Sequence, residues 1–157
     1  MGLVDILQQY RNAQAVPPDR VPGHFDEMRG GSTRRHDALD ILAPRGTPVV
    51  ATDDGTVKKL FTSGAGGLTI YQFDPDSRYA YYYAHLDRYA EGLREGASVR
   101  RCELIGYVGT TGNAPRNAPH LHFAVAALGA QKRWWEGSAL NPYPALQRAP
   151  PDDKPCA

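Results

Sequence analysis

The 157-residue sequence is poor in the features that mark several classes of protein. No apolar run approaches the roughly 20 residues that a membrane-spanning helix needs. The N-terminal stretch MGLVDILQQYRNAQ has neither the basic segment nor the apolar core and cleavage site of a signal peptide. The formal net charge is only +1, with Lys and Arg spread along the chain. We therefore expect no membrane span and no nucleic-acid partner, and either a cytoplasmic protein or a sequence that lacks its export signal.

Cysteine is scarce as well, since Cys102 and Cys156 are the only two. Two residues at this spacing form neither a disulfide framework nor a zinc-binding pattern. We expect two unpaired thiols. The alternative is a bridge that tethers the C-terminal tail, which would require an oxidising compartment.

What the sequence does have is a series of short segments rich in β-branched and aromatic residues, separated by turn-forming residues. The segments are TPVVAT (47–52), GTVKKLFT (55–62), GLTIYQF (67–73), RYAYYYAHL (78–86), ELIGYVG (103–109) and HLHFAVAAL (120–128). The 41% hydrophobic and 22% charged residues are ordinary for one soluble domain. These features predict a mainly β protein, an antiparallel sandwich-like or barrel-like domain.

The two ends of the chain differ from this middle part. Leu3, Ile6, Leu7 and Tyr10 recur with helical spacing and predict a short N-terminal helix, which AVPPDRVPG then interrupts. We assign residues 1–22 to a helical arm, 23–146 to the folded domain and 147–157 to an irregular proline-rich tail.

Two of the five histidines, His120 and His122, are separated by a single leucine. On a strand they share one face, with anchor points roughly 6.6 Å apart, so both imidazoles can reach one small site. This spacing allows one ring to bind a metal and the other to transfer protons. The alternative is a pair of exposed or hydrogen-bonded strand histidines.

The segment RRHDALDILAP places His36 four residues before Asp40. On a helix the two would lie on the same face and could share a metal ion. On an extended strand they would be about 13 Å apart, so the chain would have to bend between them. Capping or salt bridging is the commoner role for such a pair.

The third histidine signal is YYYAHL, in which His85 ends an aromatic strand. Alternation predicts that His85 shares a face with Tyr81 and Tyr83, which would line a groove or pack in the core. A half-exposed strand histidine is the alternative.

Together these motifs supply nitrogen and oxygen donors that suit zinc, namely His36, Asp40, His85, His120 and His122. A catalytic zinc site uses three protein ligands and keeps one position open. Five candidates for three places leave two groups for acid–base work, which is what a metal-assisted hydrolase requires.

The motifs resemble those of the lysostaphin-type zinc metallopeptidases, endopeptidases that cut peptidoglycan cross-bridges. The matching elements stand in the family's order as HDALD (36–40), YAHL (83–86) and HLHF (120–123). The resemblance extends over about residues 22 to 146. It implies a small antiparallel β-sheet groove, the duplicated hybrid motif fold.

The resemblance also implies roles for the five side chains. His36, Asp40 and His122 would ligate one zinc ion per chain, and His85 and His120 would be catalytic, facing the bound water and the substrate. The substrate would be peptidoglycan peptide. The location would be the bacterial envelope (periplasm) or outside the cell, with the export signal absent from the sequence.

The sequence departs from the family's usual pattern at Ala38, Ala118 and Ala124, where glycine, glycine and glutamate are common. None of these changes removes an expected ligand. Two other interpretations remain: a non-catalytic relative that activates another wall hydrolase, and a biotinyl or lipoyl carrier domain suggested by ATDDGTVKKLF. The motifs are compatible with more than one type of cross-link and more than one oligomeric state.

Overall fold

The computed structural model of the protein describes residues 28–29, 34–35 and 38–140. The predicted helical arm, the proline-rich tail and His36 lie outside the described residues. Within the described part of the chain, no helix is long and apolar enough to cross a membrane. Residues 38–140 contain no helix and consist mainly of antiparallel strands, so the predicted mainly β fold is confirmed.

Eleven strands are present in the described residues, and every pairing between them is antiparallel. They are β1 (Met28–Arg29), β2 (Arg34–Arg35), β3 (Leu39–Leu42), β4 (Pro48–Val50), β5 (Gly55–Ser63), β6 (Gly67–Phe73), β7 (Tyr79–Tyr89), β8 (Ser98–Val99), β9 (Leu104–Val108), β10 (His120–Ala127) and β11 (Ser138–Leu140).

The strands form two sheets. β1 and β2 make a separate two-stranded ladder, and the other nine strands form one sheet with the order β11-β10-β7-β6-β5-β8. Strand β3 pairs with residues 120–123 of β10, and β11 pairs with residues 125–127 of the same strand. Strand β9 pairs with the last part of β7 and with β4. His122 and Phe123 of β10 therefore lie between β3 and β7, and this arrangement positions the candidate site.

The six predicted strands correspond to β4, β5, β6, β7, β9 and β10. The prediction missed five strands of two to four residues each, namely β1, β2, β3, β8 and β11. Segments of that length show too little alternation to be recognised without their pairing partners.

The core lies under one face of β10 and its neighbours. Leu121 and Phe123 are fully buried, whereas His122 between them keeps 24% of its side chain exposed. This alternation is the pleat of a strand with one face on the core and one open. Burying side chains of this size contributes roughly 1.5–3 kcal/mol each, which strongly favours this register.

Tyr81 and Tyr83 of β7 are buried completely within this core. The Tyr83 hydroxyl accepts a hydrogen bond from the Thr52 amide and donates one to Gln72 Oε1, at 3.0 and 2.9 Å. The Tyr81 hydroxyl donates to Asp53 Oδ2 at 2.9 Å. These bonds fasten the β4–β5 turn to the centre of the sheet and satisfy phenols that would otherwise be costly to bury.

Cys102 forms a disulfide. This corrects the expectation of two unpaired thiols. The sequence offers one other cysteine, Cys156, which lies outside the described residues. The expectation was wrong because the distance between cysteines along the chain says nothing about their distance in the fold.

The loops around Gly67 and Gly112 pack directly against each other. Both glycines have left-handed backbones, with φ of 68° and 72°. A Cβ on Gly112 would lie 2.4 Å from both the Ala65 carbonyl oxygen and the Gly67 nitrogen, and the Asn113 amide donates to the same carbonyl. Only glycine allows this approach of two backbones.

We predict that Gly112→Ala destabilises the protein much more than Gly92→Ala does. Gly92 has a similar φ of 79°, but a Cβ added there would meet nothing within 4 Å, so its substitution carries only the left-handed cost of roughly 1–2 kcal/mol. Gly112→Ala adds a backbone collision of about 1–3 kcal/mol. Urea unfolding of both variants measures the difference, and equal losses would contradict the loop contact.

Candidate active site

Strands β3 and β10 place Asp40 directly opposite His122. The Asp40 Oδ1 and His122 Nδ1 atoms are 3.0 Å apart, and His120 Nε2 lies 3.7 Å from the same oxygen. The two histidines thus share one face, as predicted. Asp40 stands on a strand, so the helical alternative for this segment is wrong, and the chain bends at Ala38 just before it.

His85 reaches this face through an irregularity in β7. Leu86 and Tyr83 pair with Leu68 and Ile70 on β6, so two residues of β7 stand opposite one residue of β6. His85 itself has a left-handed φ of 62°. The extra residue reverses the alternation after Tyr83, as expected for a β-bulge.

The bulge brings three imidazoles together. The His85 ring centroid lies 4.8 Å from that of His120 and 5.7 Å from that of His122. The expectation that His85 shares a face with Tyr81 and Tyr83 is therefore wrong. Those tyrosines point into the core, and His85 points to the opposite side with Asp40, although strict alternation would have put it in the core.

Tyr82 is the site neighbour that sequence reasoning missed. Its ring meets the His122 ring edge-on, with centroids 5.8 Å apart, and its side chain is half-buried. Tyr82 pairs with Ala124 of β10, one of the positions where the chain departs from the lysostaphin-type pattern. The available signal was its position as the central tyrosine of the triplet in YYYAHL. Placing it beside the histidines, however, required knowledge of the bulge that moves His85 to the face of Tyr82.

Backbone carbonyls orient two of the imidazoles. His85 Nδ1 lies 2.7 Å from the Thr111 carbonyl oxygen, and His120 Nδ1 lies 3.0 Å from the Ala118 carbonyl oxygen. A carbonyl oxygen only accepts, so in each pair Nδ1 is the donor. For a neutral ring this leaves the Nε2 lone pair available to accept a proton.

Thr111 holds the bulge from both sides. Its hydroxyl donates to the Leu86 carbonyl and accepts from the Leu68 amide, at 2.7 and 3.0 Å. Burial lowers the pKa of His85 to about 4, against the opposing effect of the Thr111 carbonyl. His85 is therefore a neutral imidazole at pH 7.

The geometry of Asp40 and His122 can be tested against the zinc ion that the resemblance implies. Zinc bonds of about 2.0–2.1 Å in a tetrahedron place neighbouring ligand atoms about 3.3 Å apart. The 3.0 Å separation of Asp40 Oδ1 and His122 Nδ1 is close to such an edge. Within residues 38–140, no group of three His, Cys, Asp or Glu side chains makes a complete metal site. The separation of these two atoms is thus compatible with two ligands of such an ion.

Comparison with known families assigns a class to this antiparallel sheet and its cluster of histidines. Residues 34–142 match Peptidase family M23, well over half of the chain, and the protein therefore belongs to peptidase family M23.

Curated relatives include two bacterial wall enzymes. The chain is 33% identical over 129 residues to an L-Ala–D-Glu endopeptidase of Bacillus subtilis, covering 78% of this chain and 38% of the relative. It is 32% identical over 117 residues to a peptidoglycan DD-endopeptidase of Vibrio cholerae, covering 72% and 26%. The chain thus spans less than half the length of either relative.

Solved structures show the same fold. The catalytic domain of lysostaphin from Staphylococcus simulans matches with a TM-score of 0.67 and 27% identity, over 89% of this chain and 96% of that one. A zinc-containing peptidase from Vibrio cholerae matches with a TM-score of 0.56 and 30% identity, over 64% and 30%.

We predict that His85 is the neutral Nδ1–H tautomer at pH 7, because a carbonyl accepts at Nδ1 and burial disfavours the charged ring. Nitrogen-15 NMR of the imidazoles distinguishes this state. The urea-denatured protein, in which the tautomers average, is the control. A His85 ring that is protonated on Nε2 at pH 7 would contradict the assignment.

Proposed function

We propose that this protein is a zinc-dependent endopeptidase that hydrolyses peptide cross-links of bacterial peptidoglycan. The observation that carries the proposal is the convergence of Asp40, His85, His120 and His122 on the face of the sheet opposite the core. Membership of a peptidase family and the names of its relatives support the substrate class.

His36, Asp40 and His122 would hold the zinc ion in this proposal. The close approach of Asp40 Oδ1 and His122 Nδ1 supports two of the three ligands. His36 lies outside the described residues, and the bend at Ala38 is consistent with the turn that joint binding requires. Bound there, zinc would polarise the scissile carbonyl and lower the pKa of a water molecule to about 7.

His85 and His120 would act as general base and general acid, accepting and donating protons. Each ring is anchored at Nδ1 by a backbone carbonyl, so its Nε2 can accept the proton of the attacking water. The protonated ring can then donate to the oxyanion or to the leaving amine nitrogen. The fixed rings favour catalysis because the proton acceptor is oriented before the substrate arrives.

The relatives differ in the bond that their names specify, which is L-Ala–D-Glu in one and a DD bond in the other. Family membership therefore does not choose the bond for this chain. We expect the small residues Ala118 and Ala124, which lie beside His120 and Tyr82, to contribute to the choice of bond.

The disulfide at Cys102 supports a location outside the cytoplasm, since disulfides persist in oxidising compartments. This agrees with the bacterial envelope, or secretion from the cell, as the place where the substrate is found.

We predict that His122→Ala loses both zinc and activity, whereas His120→Ala keeps zinc and loses turnover by about 10²–10⁴-fold, because His122 is a proposed ligand and His120 a proton carrier. Zinc content by mass spectrometry and release of peptides from purified peptidoglycan measure the two effects. Each variant controls for the other. Near-normal hydrolysis by His120→Ala would refute its role, and wild-type protein that binds zinc and wall but cuts nothing would favour the non-catalytic alternative.

A second prediction concerns removal of the metal. A chelator should abolish hydrolysis, and stoichiometric zinc should restore it and raise the unfolding temperature, because a ligand that binds only the folded state stabilises that state. Asp40→Asn should weaken both responses. Hydrolysis that is indifferent to chelation would overturn the zinc assignment.

A further inference from the structure

A row of aromatic rings leads from the candidate site across the sheet. Successive ring centroids are 4.7 to 5.8 Å apart, beginning at the contact between Tyr82 and His122. We call this row the aromatic strip; its members are Phe61, Tyr71, Tyr82, Trp134 and Trp135.

Strand register explains why these rings meet. Tyr71 of β6 pairs with Tyr82 of β7, and Tyr82 pairs with Ala124 of β10, so all three share the face that carries His122. The loop between β10 and β11 adds Trp134, whose ring lies 4.8 Å from Tyr71 and 5.4 Å from Phe61. The strip is thus continuous with the site and is built from β5, β6, β7 and the loop between β10 and β11.

The outer end of the strip is open. Trp135 is 59% exposed and Phe61 40% exposed, and only two other large hydrophobic residues in the described part of the chain, Leu42 and Leu104, are comparably exposed. Single exposed hydrophobic residues need no explanation, whereas two that belong to one contiguous aromatic cluster form an exposed apolar patch, a common feature of binding surfaces.

The charges at the border of the strip are balanced. Lys59 pairs with Glu95 at 3.2 Å and Arg133 pairs with Glu136 at 3.4 Å. Lys59 Nζ and the Arg133 guanidinium also lie within 6 Å of the Trp134 and Trp135 rings, respectively. An aromatic surface with paired charges around it suits a neutral ligand that has both apolar faces and polar edges, rather than a strongly acidic or basic polymer.

We propose that the aromatic strip binds sugar rings of the glycan strand to which the substrate peptide is attached. A hexosamine ring has C–H groups on its faces, which stack on aromatic rings, and hydroxyl and amide groups on its edges, which suit the polar border. The inference rests on the proposed function for its biological setting. A peptide held at His122 carries its glycan covalently, so a sugar-binding surface that adjoins the site engages the same polymer.

The test compares binding and hydrolysis in the folded protein. Short chitin oligomers, which contain no peptide, are the binding probe, measured by calorimetry. We expect wild-type protein to bind them and Trp135→Ala to bind on the order of tenfold more weakly. Phe61→Ala should act in the same direction. Leu104→Ala, the matched control, truncates an exposed leucine outside the strip and should bind like wild type.

Hydrolysis provides the second measurement. Trp135→Ala should lose more activity on intact peptidoglycan than on the same cross-linked peptide freed of sugars. Equal loss on both substrates would assign the strip to the peptide groove and overturn the proposal, as would the absence of chitin binding by wild type. If wild type cuts neither substrate but binds chitin through Trp135, the proposed function fails and the glycan site stands.

Discussion

The site depends on one constraint, the register of β10 between two neighbours. His122 pairs with Asp40 of β3 on one side and with Ala84 of β7 on the other. Leu121 and Phe123, buried on the opposite face, oppose any slip, because a shift by one residue would exchange the core side chains with the histidines. Packing of the hydrophobic core thereby holds a carboxylate and an imidazole 3.0 Å apart.

The bulge in β7 adds the remaining imidazole, and it needs support. A histidine at a positive φ carries a conformational cost of order 1–3 kcal/mol. Hydrogen bonds of Thr111 offset this cost. Its hydroxyl bonds to the backbones of β6 and β7, and its carbonyl oxygen accepts a hydrogen bond from the His85 ring. The glycine contact beneath Thr111 holds that loop in place. The packing of this loop thus stabilises the strained backbone at His85 and at the same time orients the His85 ring.

Much of this was predictable from the sequence, and the exceptions have physical causes. The six longer strands and the shared face of His120 and His122 follow from alternation along a single chain. The side of the sheet occupied by His85 does not, because a bulge depends on the partner strand β6. Tyr82 was missed for the same reason. The disulfide at Cys102 and the short strand of Asp40 depend on contacts distant in sequence.

The proposed mechanism depends on the binding of one zinc ion by Asp40 and His122. Diffraction from zinc-loaded crystals at the zinc absorption edge tests it most directly. We expect one anomalous peak within about 2.0–2.2 Å of both Asp40 Oδ1 and His122 Nδ1, with His36 completing the ligand set. A peak elsewhere in the protein, or zinc-loaded crystals in which these two side chains remain hydrogen-bonded to each other without metal, would contradict it.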